Sequence, residues 1–244
     1  LKVVSIYIQM KQLGQYFTTN ASLQDKVREF VQDPVGSILE PSAGEGDLVR
    51  VLNTTFPNNT VVSYEIDKKL VFAEKRACDP WHNEDFLSTQ LPQFNTVVAN
   101  PPFVKSKHGN LYVAFIKKCF DSLNNSGQMV FIIPSDFFKL TQASSLLTQM
   151  CSNGSFTDIY WPHDETLFAG ASIDVVVFRY EKGLSSEYVC LNGETRYVVC
   201  SNGVVTFPLD HSSDISTIML GEVSSTHVGL VTGRESVFKT DKGN

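Results

Sequence analysis

The chain reads Asn-Pro-Pro-Phe from Asn100 to Phe103, directly after the β-type run of residues 96–99. The amide oxygen of Asn100 can accept one N–H of a planar amino group, and the carbonyl oxygen of Pro101 can accept the other. Two acceptors in this arrangement favour a pyramidal nitrogen over the flat ground state, which makes that nitrogen a better nucleophile. The prolines restrict the loop, and Phe103 offers a face on which a base can stack. The motif therefore predicts a clamp for an exocyclic amino group.

A second motif, Glu-Pro-Ser-Ala-Gly-Glu-Gly at residues 40–46, lies 60 residues earlier and follows the apolar pair Ile38 and Leu39. A glycine turn of this kind lets a nucleotide-like cofactor approach the backbone. In this order, each at the end of a β-type run, the two motifs predict S-adenosylmethionine-dependent methylation of an exocyclic nitrogen. The alternative is that Asn-Pro-Pro only ends a strand in a turn, which is the better interpretation of that tripeptide in isolation.

Polar side chains stand at four predicted strand ends, namely Glu40, Glu65, Asp85 and Asn100. In doubly wound sheets, ligands bind at the carboxyl ends of the strands. Glu65 can accept hydrogen bonds from two ribose hydroxyls, and Ile66 beside it can pack on an adenine face. Asp85, next to Phe86, can accept from an adenine amino group, and Glu40 suits the positively charged end of a cofactor. For any single acid, a helix cap or a solvated carboxylate is the alternative.

The elements that must position these residues alternate between strand-like and helix-like patterns, which predicts an α/β fold with a parallel sheet over residues 12–182. The predicted strands are 38–39, 61–66, 96–99, 129–133, 156–161 and 174–180, and the predicted helices are 23–31, 48–52, 69–76, 111–123 and 140–150. Residues 183–244 are predicted to form a β-rich appendage, with hairpins at the Asn-Gly pairs that begin at Asn192 and Asn202.

The composition restricts the class of protein. At 244 residues the chain is long enough for one full domain and part of a second. No apolar run approaches the roughly 20 residues of a membrane span, so no membrane association is expected. The five cysteines are dispersed without metal-ligand spacing, which predicts reduced thiols, a cytoplasmic protein and no metal site. The net charge of −6 argues against a nucleic-acid-binding surface that covers the whole protein.

From residue 13 to about residue 180 the sequence resembles the gamma-class DNA adenine-N6 methyltransferases, particularly the type II modification enzymes. The motifs that carry the resemblance are residues 13–18, 40–46, 64–67, 83–87, 99–103, 110–115 and 166–172. The resemblance implies a Rossmann-like, seven-stranded S-adenosylmethionine-dependent methyltransferase fold. It also implies that an adenine within a specific duplex sequence is flipped out of the helix before its N6 amino group is methylated.

The motifs and the resemblance together give a set of expected site residues. Cofactor contacts are expected from Tyr16, Phe17, Thr18, Glu40, Ser42, Ala43, Gly44, Glu65, Ile66, Asp85, Phe86, Asn100, Pro102 and Phe115. The expected catalytic residues are Asn100, Pro101, Pro102, Phe103 and Phe168. The resemblance places Phe103 and Phe168 on the two faces of the extruded adenine; Phe168 alone would equally be a loop anchor.

The family usually carries a separate C-terminal target-recognition domain, and residues 228–238 resemble the start of one. The chain ends at Asn244, so a module of about 100 residues has no room. We therefore expect tight cofactor binding and weak binding of duplex DNA. The expected partners are double-stranded DNA, through a recognition domain mostly absent here, and a cognate restriction endonuclease.

Two alternatives stay open. The first keeps the fold and changes the substrate to an RNA adenine or a protein glutamine, because both present a planar amino group to an Asn-Pro-Pro clamp. The second is a non-catalytic cofactor-binding or specificity partner. The intact Asn-Pro-Pro-Phe motif argues against this second interpretation, since a chain without catalysis has no physical need of the clamp.

Overall fold

The computed structural model describes residues 16–70, 72, 76–107, 109–168, 172–210 and 224–225. The chain divides into two compact units, Leu1–Asp210 and His211–Asn244. All the elements below belong to the first unit. No helix within the described ranges is long and apolar enough to cross a membrane.

The first unit consists of a central β-sheet with helices on both faces. Its strands are β1 (Ile38–Glu40), β2 (Val61–Tyr64), β3 (Trp81–His82), β4 (Phe94–Ala99), β5 (Lys105–Ser106), β6 (Gly109–Asn110), β7 (Leu123–Pro134), β8 (Gly154–Tyr160), β9 (Val175–Lys182), β10 (Tyr188–Leu191), β11 (Glu194–Tyr197), β12 (Val199–Ser201) and β13 (Val204–Thr206). Its helices are α1 (Ala21–Phe30), α2 (Asp47–Thr55), α3 (Leu111–Asp121) and α4 (Ser144–Asn153), with 3-10 turns at Phe86–Ser88, Ser135–Lys139 and Thr141–Ala143.

The central sheet has the strand order β11-β10-β8-β9-β7-β4-β1-β2-β3. Strands β3, β2, β1, β4 and β7 are parallel neighbours, whereas β9 runs antiparallel to both β7 and β8. The predicted α/β fold with a largely parallel sheet is confirmed. Among the described residues the sheet has nine strands instead of the expected seven, because β10 adds to β8 in parallel and β11 pairs antiparallel with β10.

The core lies on both faces of the sheet because its central strands are apolar on both faces. Along β7, Met129, Phe131 and Ile133 pack on the side of α3 and α4. Val130 and Ile132, which alternate with them, pack on the side of α1 and α2. A strand buried on both faces reads as a continuous apolar run, as the sequence of β7 does. The carboxyl ends of β1, β2 and β4 therefore meet at one edge of a rigid sheet.

The start of α1 holds the segment before it against this edge. The side chain of Asn20 caps the helix by accepting from Ser22 N at 2.9 Å and Leu23 N at 3.4 Å. Gln24, one turn into the helix, donates from Nε2 to the carbonyl oxygen of Thr18 at 2.6 Å. Residues 16–18 therefore leave the helix in a fixed direction.

The two Asn-Gly hairpins are confirmed. Asn192 and Asn202 have φ of 50° and 52°, and the glycines that follow have φ of 85° and 73°. Positive φ at both central residues is the geometry of a type I′ turn, which matches the twist of the strands it joins. The boundary expected between residues 182 and 183 stays a prediction. In the structure, β10 and β11 lie beyond that point and continue the central sheet.

Several predicted segments fall wholly or partly outside the described residues, among them residues 13–15 of the motif at 13–18, residues 169–171 of the motif at 166–172, and residues 211–223 and 226–244 of the appendage. Residues 228–238 lie outside them, as do residues 71 and 73–75 of the helix expected over 69–76. The described start of that helix is a turn instead, because Asp67 Oδ1 accepts from Lys69 N at 3.0 Å and Asp67 O accepts from Leu70 N at 3.0 Å. A local aspartate turn thus competes with the helix at this position.

Candidate active site

A cavity of about 290 Å³ opens at the carboxyl ends of β1, β2 and β4. A second cavity, of about 20 Å³, shares Phe17, Ser42, Gly44 and Asn100 with it. All fourteen expected cofactor residues lie in the wall of one cavity or the other. The motifs, which are spread along a hundred residues of sequence, are therefore brought together by the strand ends. Lining residues that the sequence analysis did not single out are Pro41, Asp47, Leu48, Glu84, Leu87, Val104 and Leu111.

Glu65 joins the glycine turn to the end of β2. Its Oε2 accepts from Gly44 N at 2.7 Å, and its Oε1 accepts from Asp67 N at 2.7 Å. Gly44 has φ of 56°, and a Cβ at this position would lie 3.1 Å from the ring of Phe17. Burial raises the pKa of the Glu65 carboxyl, and these backbone hydrogen bonds oppose that shift. Each oxygen of Glu65 keeps a lone pair for a further donor.

Three buried oxygens that find no hydrogen-bond partner in the described part of the chain belong to residues that line the smaller cavity: Glu40 Oε2, Asp47 Oδ2 and Asn100 Oδ1. A buried acceptor without a donor costs about 1–3 kcal/mol, so such groups call for a ligand. The other oxygen of Glu40 accepts from Ser42 N at 3.1 Å. Burial, followed by a smaller effect of the Glu65 charge, raises the pKa of Glu40 well above its ordinary value. Glu40 and Asp47 together suit a cationic group.

The orientation of the Asn100 amide is fixed by its neighbours. Its Nδ2 donates to the carbonyl oxygen of Tyr16 at 2.6 Å and to Oγ1 of Thr18 at 2.9 Å. Ser42 Oγ donates to the backbone carbonyl of Asn100 at 3.0 Å. Both N–H groups of the amide are therefore engaged, and Oδ1 remains the free acceptor. This is the arrangement that the amino-group clamp requires.

Phe103 lies in a cluster of aromatic rings with Tyr16 and Phe168. The Tyr16 ring is stacked on Phe103, with 5.4 Å between centroids and 25° between planes. Phe168, which is 3% exposed, meets Phe103 at 6.0 Å and 79°. Rings on the two faces of one base would be parallel and roughly 7 Å apart, twice a van der Waals separation. The expected sandwich by Phe103 and Phe168 stays a prediction, because the two rings would have to separate and become parallel.

The far end of the larger cavity has an apolar wall. Phe86 is stacked on Phe115, with 5.2 Å between ring centroids, and Ile66 is 55% exposed at the cavity. Asp85 caps the 3-10 turn Phe86–Ser88, since its carboxylate accepts from Leu87 N at 3.0 Å and from Ser88 Oγ at 2.6 Å. Asp85 therefore acts as a cap and also lines the cavity. An apolar slot with one acidic edge is suited to a flat heterocycle that carries an amino group.

Of the overlooked residues, Asp47 has the most direct bearing on chemistry. It is the first residue of α2, directly after the glycine turn, and Arg50 Nη1 donates to its Oδ1 at 3.1 Å. An acid in the first turn of a helix is common, because it complements the helix dipole. The signal that distinguishes Asp47 is its position beside a cofactor turn, with the second oxygen buried and unpartnered.

Comparisons with known proteins agree with this geometry. Residues 49–168 match the family described as Eco57I restriction-modification methylase. The type II methyltransferase M.HincII of Haemophilus influenzae is 29% identical over 196 residues, which cover 70% of this chain and 38% of that protein. The chain thus spans less than two fifths of the length of this curated relative.

Two solved structures share the fold at low sequence identity. One is described as a class I S-adenosylmethionine-dependent methyltransferase from Listeria monocytogenes, with a TM-score of 0.59 and 16% identity over 72% of this chain and 66% of that one. The other is the M protein of the type I restriction enzyme EcoKI, with a TM-score of 0.58 and 13% identity over 75% of this chain and 49% of that one. The expected resemblance to type II modification enzymes is confirmed: residues 49–168 resemble the Eco57I restriction-modification methylases, and the chain has the fold of S-adenosylmethionine-dependent methyltransferases.

Proposed function

We propose that this chain is the catalytic part of an S-adenosylmethionine-dependent DNA methyltransferase that acts on the N6 amino group of adenine. The observation that carries the proposal is the unpartnered Oδ1 of Asn100, whose amide is held by Tyr16 and Thr18. Its neighbours Glu40 and Asp47 offer two further free oxygens at the same cavity. An acceptor for an amino group thus lies beside a site that suits the ammonium group of a cofactor whose sulfonium carries the methyl group.

The residues present fit S-adenosylmethionine. Glu65 would accept from the ribose hydroxyls through the lone pairs that Gly44 and Asp67 leave free. Ile66, Phe86 and Phe115 would enclose the adenine ring of the cofactor, with Asp85 at its amino edge. Glu40 and Asp47 would accept from the ammonium group of the methionine part. The cofactor, when bound, supplies a methyl group activated by a positively charged sulfur.

The chain's own residues would then prepare the acceptor nitrogen. Asn100 Oδ1 would accept one N–H of the target amino group, and the carbonyl oxygen of Pro101 is the proposed acceptor for the other. Holding both N–H bonds out of the ring plane withdraws the nitrogen lone pair from the base and exposes it for attack. The preorganised amide needs no reorientation during the reaction, because Thr18 and Tyr16 already fix it.

Duplex DNA is the proposed macromolecular substrate, and a cognate restriction endonuclease is the proposed functional partner. Both proposals are supported by the family match and by the name of the type II relative. A cytoplasmic location is proposed from the cysteines: all five lie in the described ranges, and all are free thiols. An RNA adenine and a protein glutamine remain the competing acceptors, because the clamp fits any planar amino group.

A three-way competition tests the choice of acceptor. The chain would be incubated with S-adenosylmethionine labelled on the methyl group and equal amounts of duplex DNA, the RNA of the same sequence, and a glutamine-containing protein. We expect the label in DNA at a rate at least tenfold above the other two. Label found mainly in RNA or in protein would replace the proposed substrate, and the Asn100→Ala variant gives the background for each acceptor.

A further inference from the structure

The lysines and arginines in the described part of the chain fall into two groups. Most of them donate to a carboxylate or to a backbone carbonyl, as Lys117 does to Asp121 at 2.5 Å and Lys118 to the carbonyl of Phe86 at 2.5 Å. Four others, which we call the free lysines, form neither a hydrogen bond nor an ion pair within the described ranges. They are Lys68, Lys105, Lys107 and Lys139, and all four are exposed.

The free lysines all follow the carboxyl end of a strand of the central sheet. Lys68 follows β2, Lys105 and Lys107 follow β4, and Lys139 ends the 3-10 turn after β7. Strands β2, β4 and β7 run parallel to β1 in the central sheet, so their carboxyl ends lie at the same edge as the cavity. Within the described ranges, the positive charge that has no internal partner is thus confined to the edge that carries the cavity.

Three of the free lysines lie on two hydrogen-bonded segments that follow the catalytic loop. Strands β5 and β6 form a hairpin directly after Phe103, closed at its base by Leu111 N donating to the carbonyl of Val104 at 2.8 Å. Gln142, three residues after Lys139, accepts from Asn110 N at 2.7 Å. The hairpin that carries Lys105 and Lys107 is therefore fixed to the segment that carries Lys139.

Gly109 allows this hairpin to pack closely against Gln142. Its φ is 108°, and a Cβ at this position would lie 2.3 Å from Nε2 of Gln142. Val104 and Leu111, at the base of the hairpin, line the larger cavity. The backbone that carries the lysines is therefore rigidly connected to the active site, which distinguishes it from a solvated loop.

The charge pattern of the sequence supports a functional reason for these lysines. The chain contains 26 acidic and 20 basic residues, yet the 35 residues from Phe86 to Phe120 contain four lysines and no aspartate or glutamate. Asp136 and Asp164, which follow the carboxyl ends of β7 and β8, each accept a hydrogen bond from a neighbour: Asp136 from Tyr112 Oη at 3.1 Å, and Asp164 from Thr166 N at 2.8 Å. The hairpin thus offers uncompensated cations in an otherwise acidic protein.

We propose that the β5–β6 hairpin and Lys139 bind the phosphate backbone of the DNA strand that carries the target base. The inference rests on the proposed function, and it assigns a DNA contact to the catalytic unit itself. Lys105, Lys107 and Lys139 would hold phosphates next to the extruded adenine. Asn100 and Phe103 would contact the adenine itself. Lysines without internal partners bind phosphate by releasing counterions, so the contact carries no sequence preference.

The test measures binding of a fluorescein-labelled duplex by anisotropy between 25 and 200 mM salt, with the complete 244-residue chain. The triple variant Lys105→Gln, Lys107→Gln, Lys139→Gln is compared with a control of equal charge, Lys26→Gln, Arg28→Gln, Lys117→Gln. The control removes three cations that are ion-paired within the described part. Each lost phosphate contact lowers the slope of log affinity against log salt by about 0.9. We expect a slope lower by roughly 2.7 for the triple variant and a near-parental slope for the control.

Three outcomes decide the proposal. The expected loss of slope, with S-adenosylmethionine affinity unchanged in both variants by calorimetry, supports it. The proposal is overturned if the parent and the triple variant have equal slopes. It is also overturned if the parent does not bind the duplex even at 25 mM salt. Loss of slope without any methyl transfer to DNA by the parent would support the surface and overturn the proposed function. The two proposals therefore fail independently.

Discussion

At the residue scale, the Asn100 side chain directs both of its N–H bonds to the segment before α1 and leaves its oxygen free. A side chain whose position is fixed in this way is preorganised for the transition state. We predict that Asn100→Ala lowers the single-turnover rate of methyl transfer at least about 100-fold, which is the cost of losing one preorganised polar group. The rate would be measured by quenched flow at saturating cofactor.

The matched control for this variant is Thr18→Val. It removes one of the two groups that hold the amide, the hydroxyl 2.9 Å from Asn100 Nδ2, and leaves the acceptor oxygen in place. We expect it to lose much less activity than Asn100→Ala. If both variants lose the same rate, the role of Asn100 is to hold the N-terminal segment and the clamp is wrong.

Glu65 is expected to bind the ribose of the cofactor, because its carboxylate lines the cavity and is oriented by backbone N–H groups of Gly44 and Asp67, each at 2.7 Å. We predict that Glu65→Ala weakens S-adenosylmethionine binding by about 1.5–3 kcal/mol, the range for hydrogen bonds to a charged group. Glu45→Ala is the control, since Glu45 is exposed in the same turn and does not line the cavities. Calorimetry that gives parental affinity for Glu65→Ala would remove Glu65 from the site.

Burial raises the pKa of Glu40 well above its ordinary value of 4.5. The folded, cofactor-free protein therefore binds a proton that the unfolded chain has released, and this contribution to stability is lost as the pH rises from about 4.5 through the raised pKa. We predict that Glu40→Gln is more stable than the parent toward the upper end of this range and that the difference shrinks as the pH falls. Thermal melts of both proteins between pH 5 and pH 8 measure the difference.

The cofactor should reverse this dependence, because the ammonium group requires the ionised carboxylate. We expect S-adenosylmethionine affinity of the parent to rise with pH across the same interval and to change less in Glu40→Gln. A parental affinity that is flat across the interval would contradict the assignment of Glu40 to the positively charged end of the cofactor.

At the scale of the elements, the turn between β1 and α2 depends on glycines. Gly46 and Gly193 both have φ of 85°, but a Cβ on Gly46 would lie 2.3 Å from the Phe72 ring, whereas Gly193 has no atom within 4 Å. Both alanine variants carry the cost of a left-handed backbone, about 1–2 kcal/mol. We predict that Gly46→Ala costs a further 1–3 kcal/mol or so, because the ring must move. Urea unfolding gives the free energy of unfolding of each variant, and the difference between the two losses measures the clash with Phe72. Equal losses of stability would show that the clash has no cost.

Much of the fold could be predicted because its elements carry strong local patterns. Continuous apolar runs gave β4 and β7, and Asn-Gly pairs gave both C-terminal hairpins, since these signals depend only on neighbours in sequence. The attachment of β10 to β8 could not be predicted, because a strand edge accepts a partner through its backbone and leaves no mark on side-chain type. The turn at Asp67 replaced the start of an expected helix for a similarly local reason, because the Asp67 side chain accepts from the backbone N–H of Lys69 two residues later.

The site could be predicted as a set of residues more readily than as a geometry. Strand ends bring polar residues to one edge whatever their sequence separation, so motif order was sufficient to place Glu40, Glu65 and Asn100 together. The ring arrangement of Phe103 and Phe168 was not predictable, because it depends on Tyr16, which stacks on Phe103. The free oxygen of Asp47 was overlooked because an acid at a helix start has an ordinary structural explanation.

At the scale of the whole molecule, the net charge is −6, whereas the free lysines of the described ranges all lie near the carboxyl ends of the strands that carry the cavity. If these lysines bind DNA as proposed, they would orient an anionic partner toward the cavity. The chain spans 38% of the length of M.HincII, so sequence selection by the whole protein is a separate matter from the chemistry of this unit. The proposed catalytic residues all lie within the described ranges.

We propose that the clamp at Asn100 directs the methyl group to the N6 amino group of adenine. The most direct measurement is mass spectrometry of nucleosides from mixed-sequence duplex DNA after incubation with this chain and methyl-labelled S-adenosylmethionine at high enzyme concentration. We expect labelled N6-methyl-2′-deoxyadenosine as the product, absent with Asn100→Ala. Label confined to a methylated deoxycytidine, or the same yield of N6-methyl-2′-deoxyadenosine from Asn100→Ala, would contradict this role of Asn100.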